Sequence, residues 1–273
     1  MMRHPLARIA GFVFLLVFYT LLFAPLVVVV GASFDGTKGS FLNFPPRHPS
    51  LLAYREIPFD YLHALGISCA LGAAASVIST VIGVPAALGL VRGRVPGRAL
   101  ITTLLRAPLQ IPAVVVGLAF LQCYYQLGAA TGWFIQQTFI GLLIGHVFIT
   151  LPFVIGPVAA VLQRFSASLE EAAISLGATR WRSFRRVTLP IIMPGVWSGG
   201  LYAFIVSFGD VPVSMFLAGE RTTPFPVAML NAMQFNFNAS ILAVSTLVLV
   251  GSCTAVWAIQ RILGLDALSA TSQ

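Results

Sequence analysis

The chain has 273 residues, of which 58% are hydrophobic and only 9% are charged, and its mean hydropathy is +0.92. Soluble globular domains carry roughly 25% charged residues, so this composition excludes a soluble domain and indicates an integral membrane protein. The net charge of +8 comes from basic residues in short clusters between apolar runs. A nucleic-acid-binding protein has a continuous basic stripe instead, so nucleic acid is not expected as a partner.

Six apolar segments are long enough to cross a bilayer, because a transmembrane helix needs about 20 predominantly apolar residues. In chain order we predict these spans at residues 9–31, at 62–91, at two places within 107–163, at 191–217 and at 239–260. The first exceeds the roughly 7–15 residues of a signal-peptide core, so we predict a retained helix. The second is longer than one crossing requires, and we expect its first turns to stand outside the bilayer. The predicted fold class is an all-α integral membrane protein with six transmembrane helices.

The third and fourth spans come from one uncharged stretch. Residues 107–163 contain no Asp, Glu, Lys or Arg over 57 positions. The run Gly-Ala-Ala-Thr-Gly at 128–132 interrupts this stretch with two glycines, which are typical of turns. We therefore predict two helices joined by a tight hairpin at this run.

The distribution of basic residues predicts how the chain is oriented in the membrane. Six crossings place both termini on one side. If that side is the cytoplasm, it receives twelve of the 16 Lys and Arg residues, and the other side receives Lys38, Arg47, Arg55 and Arg221. Cytoplasmic loops of membrane proteins are enriched in Lys and Arg, so we predict that both termini and the loop at 164–190 face the cytoplasm.

The loop at 164–190 stands out in a chain of such low charge. Its residues 170–190 hold two carboxylates and four arginines. Ser168 and Glu171 have the spacing of a capping box, which predicts the start of a helix. The helix is predicted to have one apolar face, formed by residues at i, i+3, i+4 and i+7, namely Leu169, Ala172, Ala173 and Leu176.

The same loop carries signals for a helix end and a second helix. Gly177 is placed to end the first helix in a left-handed turn, and Thr179 is placed to cap a short helix rich in arginine. Ala172 and Ala173 would let another surface approach the first helix closely. Two interpretations follow. The loop either docks on another protein or lies on the lipid surface with its arginines at anionic headgroups.

One motif in this loop resembles that of a known family. Residues 171–173, Gly177 and residues 187–190 stand in the pattern E-A-A-x3-G-x9-I-x-L-P, with Val187 in place of the isoleucine. This pattern resembles the cytoplasmic signature loop of permease subunits of bacterial ATP-binding-cassette (ABC) importers. The six-span layout, over approximately residues 60–265, resembles the type I importer permease fold.

The resemblance implies an organisation and a set of partners. Residues 1–59 would form an N-terminal helix and outer loop, residues 60–265 the core transmembrane domain, and residues 266–273 a cytoplasmic tail. The implied partners are two ATPase subunits, a second permease in a heterodimer, and an extracytoplasmic solute-binding protein. The implied location is a bacterial inner membrane.

In this family the signature loop forms a coupling helix that docks in a groove of the ATPase subunit. We therefore name residues 164–190 the coupling loop. The resemblance implies a coupling role for Glu171, Ala172, Ala173 and Gly177, and we extend this expectation to their loop neighbours Glu170, Leu176 and Arg180.

The sequence predicts no catalytic or cofactor-binding residues in this chain. A P-loop needs the pattern G-x-x-x-x-G-K-[ST], and the chain's single lysine, Lys38, lies in Gly-Thr-Lys-Gly-Ser, which lacks that spacing. No spacing typical of a metal site or a Ser/His/Asp group is present, so we predict a transporter subunit without a metal centre. ATP and Mg²⁺ are expected to bind a separate ATPase.

Asp210 is the one formal charge within a predicted span. A carboxylate inside a membrane costs about 2.5–3.5 kcal/mol and is by default a candidate functional residue. It either lines the path of a cationic solute or caps a helix break at residues 209–212. We name Asp210, Phe208 and Tyr124 as candidate residues of the substrate pathway. His146 is expected to be a hydrogen-bonded packing residue.

A second resemblance concerns the substrate. Residues 207–219, 222–227 and 243–247 resemble the second permease of spermidine/putrescine importers, although the first position of that family's acidic pair is Gly209 here. The resemblance implies a polyamine or a similar small cationic solute. The alternatives are another solute of the same importer class, such as a phosphonate, an opine or ferric iron, or an ion-coupled secondary transporter.

Overall fold

The computed structural model describes residues 5–36, 43–93, 95–235 and 239–263. Lys38 and the predicted tail at 266–273 lie outside these residues. The described helices, in chain order, are α1 (Pro5–Ala32), α2 (Leu52–Arg55), α3 (Phe59–Arg92), α4 (Arg98–Arg106), α5 (Ala113–Thr131), α6 (Phe139–Arg164), α7 (Ser168–Ser175), α8 (Arg180–Ser183), α9 (Leu189–Phe208), α10 (Ser214–Leu217), α11 (Phe225–Phe235) and α12 (Ser240–Leu263). A π-helical turn, Phe184–Thr188, joins α8 to α9.

Most predicted spans coincide with long apolar helices. Within the described residues, five helices are long and apolar enough to cross a membrane, namely Arg8–Ala32, Phe59–Arg92, Ala113–Thr131, Phe139–Arg164 and Arg180–Phe208. The sixth predicted span falls on α12, which has 24 residues. The all-α fold class is therefore confirmed.

Two predicted boundaries differ from the structure. The fifth span does not continue to residue 217, because α9 ends at Phe208 and the chain leaves the helix before Pro212. The apolar composition continues past this break, which is why the sequence predicted a longer helix. The helix break predicted within residues 128–132 occurs at the last of these residues, because Gly132 ends α5 in a left-handed conformation with φ of 77°. Six residues then lead to α6.

The chain divides into two compact units, one formed by residues 1–62 and 229–273 and the other by residues 63–228. In the first unit, α1 and α2 pack against α12. The Ser240 hydroxyl donates a hydrogen bond to the Glu56 carbonyl at 3.1 Å. Most side chains of α1 are exposed, as expected for a helix that faces lipid or another subunit.

The core of the second unit lies along α6 and α9. Two glycines of α9 allow the helices to approach closely: a Cβ atom at Gly199 would lie 2.9 Å from the Cα of Val154, and one at Gly195 would lie 3.0 Å from the Pro157 carbonyl. Small residues at such crossings are typical of membrane helices, where close backbone packing drives association. The candidate sites lie near the ends of these two closely packed helices.

Candidate functional site

Helix α7 forms the first half of the coupling loop. It has eight residues and is about 12 Å long. The predicted capping box is wrong, because the helix begins one residue earlier than expected, with Ala167 at the N-cap and no side-chain cap. The Ser166 hydroxyl accepts the N–H of Ser168 at 3.3 Å and lies 2.8 Å from the Ser168 hydroxyl. Ser168 therefore sits inside the first turn, and the N–H of Glu171 bonds the Ala167 carbonyl instead at 3.1 Å.

The C-terminal end of α7 has the predicted left-handed turn. Gly177 has φ of 89°. Its N–H bonds the Ile174 carbonyl at 2.9 Å, and the N–H of Ala178 bonds the Ala173 carbonyl at 3.0 Å. These two bonds form a Schellman motif, which satisfies the last carbonyls of the helix. The predicted cap of the next helix is also present, since the Thr179 hydroxyl accepts the N–H of Arg182 at 3.2 Å.

The outward side of the coupling loop exposes large apolar side chains, which none of the residues described by the structure cover. Leu169 is 52% exposed, Leu176 is 90% exposed and Trp181 is 67% exposed. Glu171, Ala172 and the candidate residues Gly177 and Arg180 are also exposed, whereas Ala173 is half-buried. Large apolar side chains exposed in a group mark an interaction surface.

Glu170 points in the opposite direction, towards its own chain. Its Oε1 accepts a hydrogen bond from the Thr188 hydroxyl at 3.0 Å and lies 3.8 Å from Nε of Arg92. The Ser183 hydroxyl donates to the Glu170 carbonyl at 3.4 Å. Glu170 therefore fixes α7 to the segment that leads into α9, rather than contributing to the exposed face.

Arg92 is a residue of this site that the sequence reasoning missed. It is the last residue of α3, and its Nη2 donates to the Phe165 carbonyl at 2.8 Å. Its guanidinium also lies 5.3 Å from the centroid of the Phe165 ring. Together with the contact to Glu170, these interactions join the ends of α3 and α6 to α7. The sequence alone indicates for Arg92 only that it is one of the twelve basic residues on the predicted cytoplasmic side.

The helix break that follows α9 is organised by Asp210. This residue is 9% exposed, and its Oδ2 accepts three hydrogen bonds. The donors are the N–H of Val213 at 3.1 Å, the N–H of Ser214 at 2.9 Å and the hydroxyl of Ser214 at 3.1 Å. Such bonds are those of a helix cap, since they satisfy N–H groups that have no partner within the following helix. The carboxylate thus has the geometry of the local cap, one of the two roles considered for it.

His146 connects this break to the neighbouring helices. Its side chain is fully buried, with Nδ1 2.8 Å from the Ser207 hydroxyl and Nε2 3.0 Å from the Ser214 hydroxyl. Nε2 also lies 3.8 Å from Oδ2 of Asp210. The expectation of a hydrogen-bonded packing residue is confirmed. Residues in α6, α9 and α10 are therefore joined by one buried polar network.

The other two candidate residues of the substrate pathway also make contacts within the second unit. Tyr124 is 3% exposed, and its hydroxyl donates to the Gly141 carbonyl at 2.8 Å. Phe208 is half-buried and stacks on Phe204 with ring centroids 5.8 Å apart. The Tyr124 ring belongs to a buried apolar cluster that includes Val213, so Tyr124 packs beside the helix break.

Comparisons with known proteins agree with this architecture. Residues 79–266 match the family described as "Binding-protein-dependent transport system inner membrane component". The chain is 33% identical over 240 residues to the putrescine transport system permease protein PotI of Escherichia coli strain K12, covering 87% of this chain and 84% of that protein. It is 28% identical over 251 residues to the spermidine/putrescine transport system permease protein PotC of the same strain, covering 91% and 92%.

Similarity extends to permeases named for other solutes. The sulfate transport system permease protein CysT of Escherichia coli strain K12 is 30% identical over 198 residues, covering 69% of this chain and 71% of that protein. A crystal structure of a bacterial ABC transporter involved in the import of the acidic polysaccharide alginate contains a chain that matches with a TM-score of 0.73 and 19% identity. The match covers 97% of this chain and 98% of that chain. This structural likeness shows the type I permease fold.

Proposed function

The chain belongs to the family of binding-protein-dependent transport system inner membrane components, and we propose that its solute is a polyamine, with putrescine as the first candidate. It is a permease subunit of an ABC importer and is not itself an enzyme. One observation carries the choice of solute. The similarity to the putrescine permease extends over 87% of this chain, whereas that to the sulfate permease extends over 69%.

Importers of this family combine permeases with an ATPase and a solute-binding protein. For this chain we assign a heterodimer with a second permease, two ATPase subunits, and a binding protein that delivers the solute from outside. Both termini and the coupling loop face the cytoplasm, in accordance with the twelve basic residues that the six-span topology places there. ATP and Mg²⁺ bind the ATPase subunits.

The coupling loop is the part of this chain that contacts the ATPase. The exposed apolar side chains Leu169 and Leu176 supply the docking surface, and the turn at Gly177 fixes where the helix stops. Closure of the ATPase pair displaces α7, and the Arg92–Glu170 contact transmits this displacement to α3. The π-helical turn that holds Thr188 transmits it to α9. The permease pair then opens outward to receive the solute.

The coupling assignment is tested by isolating the tagged chain from its native membrane in a mild detergent and identifying the proteins that co-elute by mass spectrometry. The expected result is an ATPase with a Walker motif and a second multi-span permease. If the chain elutes alone or as a homo-oligomer, also after cross-linking, the assignment of an ATPase partner fails.

The solute is tested separately, on the binding protein and the reconstituted complex. Calorimetry with putrescine, spermidine, sulfate and a phosphonate identifies the solute of the binding protein. Uptake of labelled putrescine into proteoliposomes then shows whether this permease transports it. Binding of an anion with no binding of a polyamine would overturn the proposed solute and leave the importer assignment intact.

A further inference from the structure

A small cavity lies between α4 and the adjoining ends of α3 and α6. Its volume is about 140 Å³. Its wall is mostly apolar and includes Leu90 of α3, Leu105 of α4 and Ile155 of α6. The polar residues that line it are Thr102, Gln163 and, at the two ends of α4, Arg98 and Arg106. The cavity therefore combines a mostly apolar wall with two cationic groups.

Helix α4 has the pattern of a helix that lies in the membrane interface. Ile101 and Leu105 pack towards the apolar core of the second unit. Leu100 and Leu104, on an adjacent part of the helix surface, are 64% and 61% exposed. A short helix with arginines at its ends and leucines exposed on one side is typical of a segment at the boundary between headgroups and acyl chains.

The two arginines are available for a ligand. Both side chains are exposed, and neither has an ion pair or a side-chain hydrogen bond with any residue that the structure describes. Arg92 differs, because its guanidinium is held by Phe165 and Glu170. A guanidinium presents paired N–H donors that match the oxygens of a phosphate. Basic pockets between membrane helices on the cytoplasmic side are typical binding sites for anionic lipid headgroups.

From this arrangement we propose that the cavity binds the headgroup of one anionic phospholipid. The phosphate lies between Arg98 and Arg106, and the acyl chains follow the exposed leucines of α4. The cavity is too small for a whole lipid, so only the headgroup enters it. Room for that group is present at Gly156, which lines the cavity and where an added Cβ atom would have no neighbour within 4 Å.

The proposal is tested by native mass spectrometry of the full-length chain in mild detergent, with phosphatidylglycerol, phosphatidylcholine or inorganic phosphate added. We expect one retained phosphatidylglycerol per chain, with an affinity about tenfold or more above that for phosphatidylcholine. The double variant Arg98→Gln/Arg106→Gln should lose this preference. Gly156→Leu should reduce binding by filling the cavity while leaving both arginines in place.

Two matched variants serve as controls. Arg185→Gln/Arg186→Gln removes the same charge from the coupling loop, where both side chains are exposed. Gly89→Leu adds the same side chain to a helical glycine that also has free space around its Cβ position. Both control variants should retain the lipid.

Four outcomes would overturn the proposal. Equal binding of phosphatidylcholine would indicate an apolar patch that does not recognise charge. Unchanged phosphatidylglycerol binding in either Arg98→Gln/Arg106→Gln or Gly156→Leu would place the lipid elsewhere. Retention of inorganic phosphate with exclusion of the lipid would indicate a site for free anions. A doubled mass without bound lipid would assign this face to contact between two copies of the chain.

Discussion

The coupling loop and the helix break at residues 207–214 both connect the end of one helix to the start of the next, but they differ in solvent exposure. In each, side-chain oxygens satisfy free N–H groups. The coupling loop leaves Leu176 90% exposed, whereas at the break Asp210 is 9% exposed and Ser214 is fully buried. A surface made for a partner needs its apolar groups outward, but polar groups within a membrane protein must find partners inside it.

This difference predicts how substitutions act. Under the proposed docking role, changes on the outer face of the coupling loop would remove contacts with the ATPase, so they should affect transport and leave the subunit stable. Changes at the helix break leave buried polar groups without partners, so they should first affect stability.

The largest expected effect is that of Gly177→Leu. Gly177 has φ of 89°, and a leucine in this left-handed region is destabilised by about 1–2 kcal/mol of backbone strain. Relief of the strain changes the direction in which the chain leaves α7, and uptake should fall to background at a normal membrane level. Glu171→Arg should give the same loss through the docking surface. Uptake assays with immunoblots of the membrane fraction measure both quantities.

Gly66→Leu is the control for this prediction, because Gly66 is helical and has free space around its Cβ position. It should leave uptake unchanged. If uptake stays normal in both Gly177→Leu and Glu171→Arg, the docking role of the coupling loop is refuted.

The next largest effect is expected at Asp210. Asp210→Ala removes the acceptor of three hydrogen bonds and should lower the free energy of unfolding by about 1–3 kcal/mol. Asp210→Asn keeps one acceptor oxygen and should have a smaller effect. Thermal unfolding in detergent and the KM for putrescine uptake are measured together. A raised KM with unchanged thermal stability in Asp210→Asn would instead place the carboxylate in the solute pathway.

The features predicted from the sequence are those that depend on neighbouring residues. The left-handed turn at Gly177, the cap at Thr179 and the helix break at Asp210, which was one of two alternatives for that residue, each involve groups only a few positions apart. Even here a competing neighbour changed one result, because Ser166 rather than Ser168 accepts the first free N–H group. The length of α9 was overestimated because the apolar composition continues past its end.

The features that the sequence did not predict depend on how separate helices pack. Arg92 and Glu170 lie on different helices, and so do His146 and Ser207. No pattern along the chain relates such pairs, since only the crossing of the helices brings them together. The sequence therefore predicted the turn at Gly177 and the cap at Thr179, and offered the Asp210 cap as one of two alternatives. It did not predict the contacts that fix those regions to the rest of the second unit.

His146 tests whether the helix break depends on such long-range contacts. His146→Phe removes the partner of the buried Ser207 hydroxyl, whereas the Ser214 hydroxyl keeps its bond to Asp210, and we expect a loss of about 1–2 kcal/mol in the free energy of unfolding. Adding Ser207→Ala should recover part of this loss, since the unpaired hydroxyl is then absent. Strictly additive changes in thermal unfolding would show that the network has no energetic coupling.

We expect the smallest effect on stability for Arg92→Gln and Glu170→Gln. These variants test the contact that joins the coupling loop to the rest of the second unit. Both side chains are about a quarter exposed and their charged atoms are 3.8 Å apart, so each change should cost less than about 1 kcal/mol of stability. Transport should nevertheless fall several-fold, because α7 loses its contact with the end of α3. The measurement is a cycle of the two single variants and the double variant, with both uptake and thermal unfolding recorded.

The cycle separates transmission of movement from simple docking. If the Arg92–Glu170 contact transmits the displacement of α7, the second substitution should add little to the first, and the exchanged pair Arg92→Glu/Glu170→Arg should recover part of the uptake. Recovery should be incomplete, because the exchange loses the bonds to Phe165 and Thr188. If the two losses of uptake multiply independently and the exchanged pair recovers nothing, the inner side of α7 has no coupling role. Transport would then depend only on the outward face of the coupling loop.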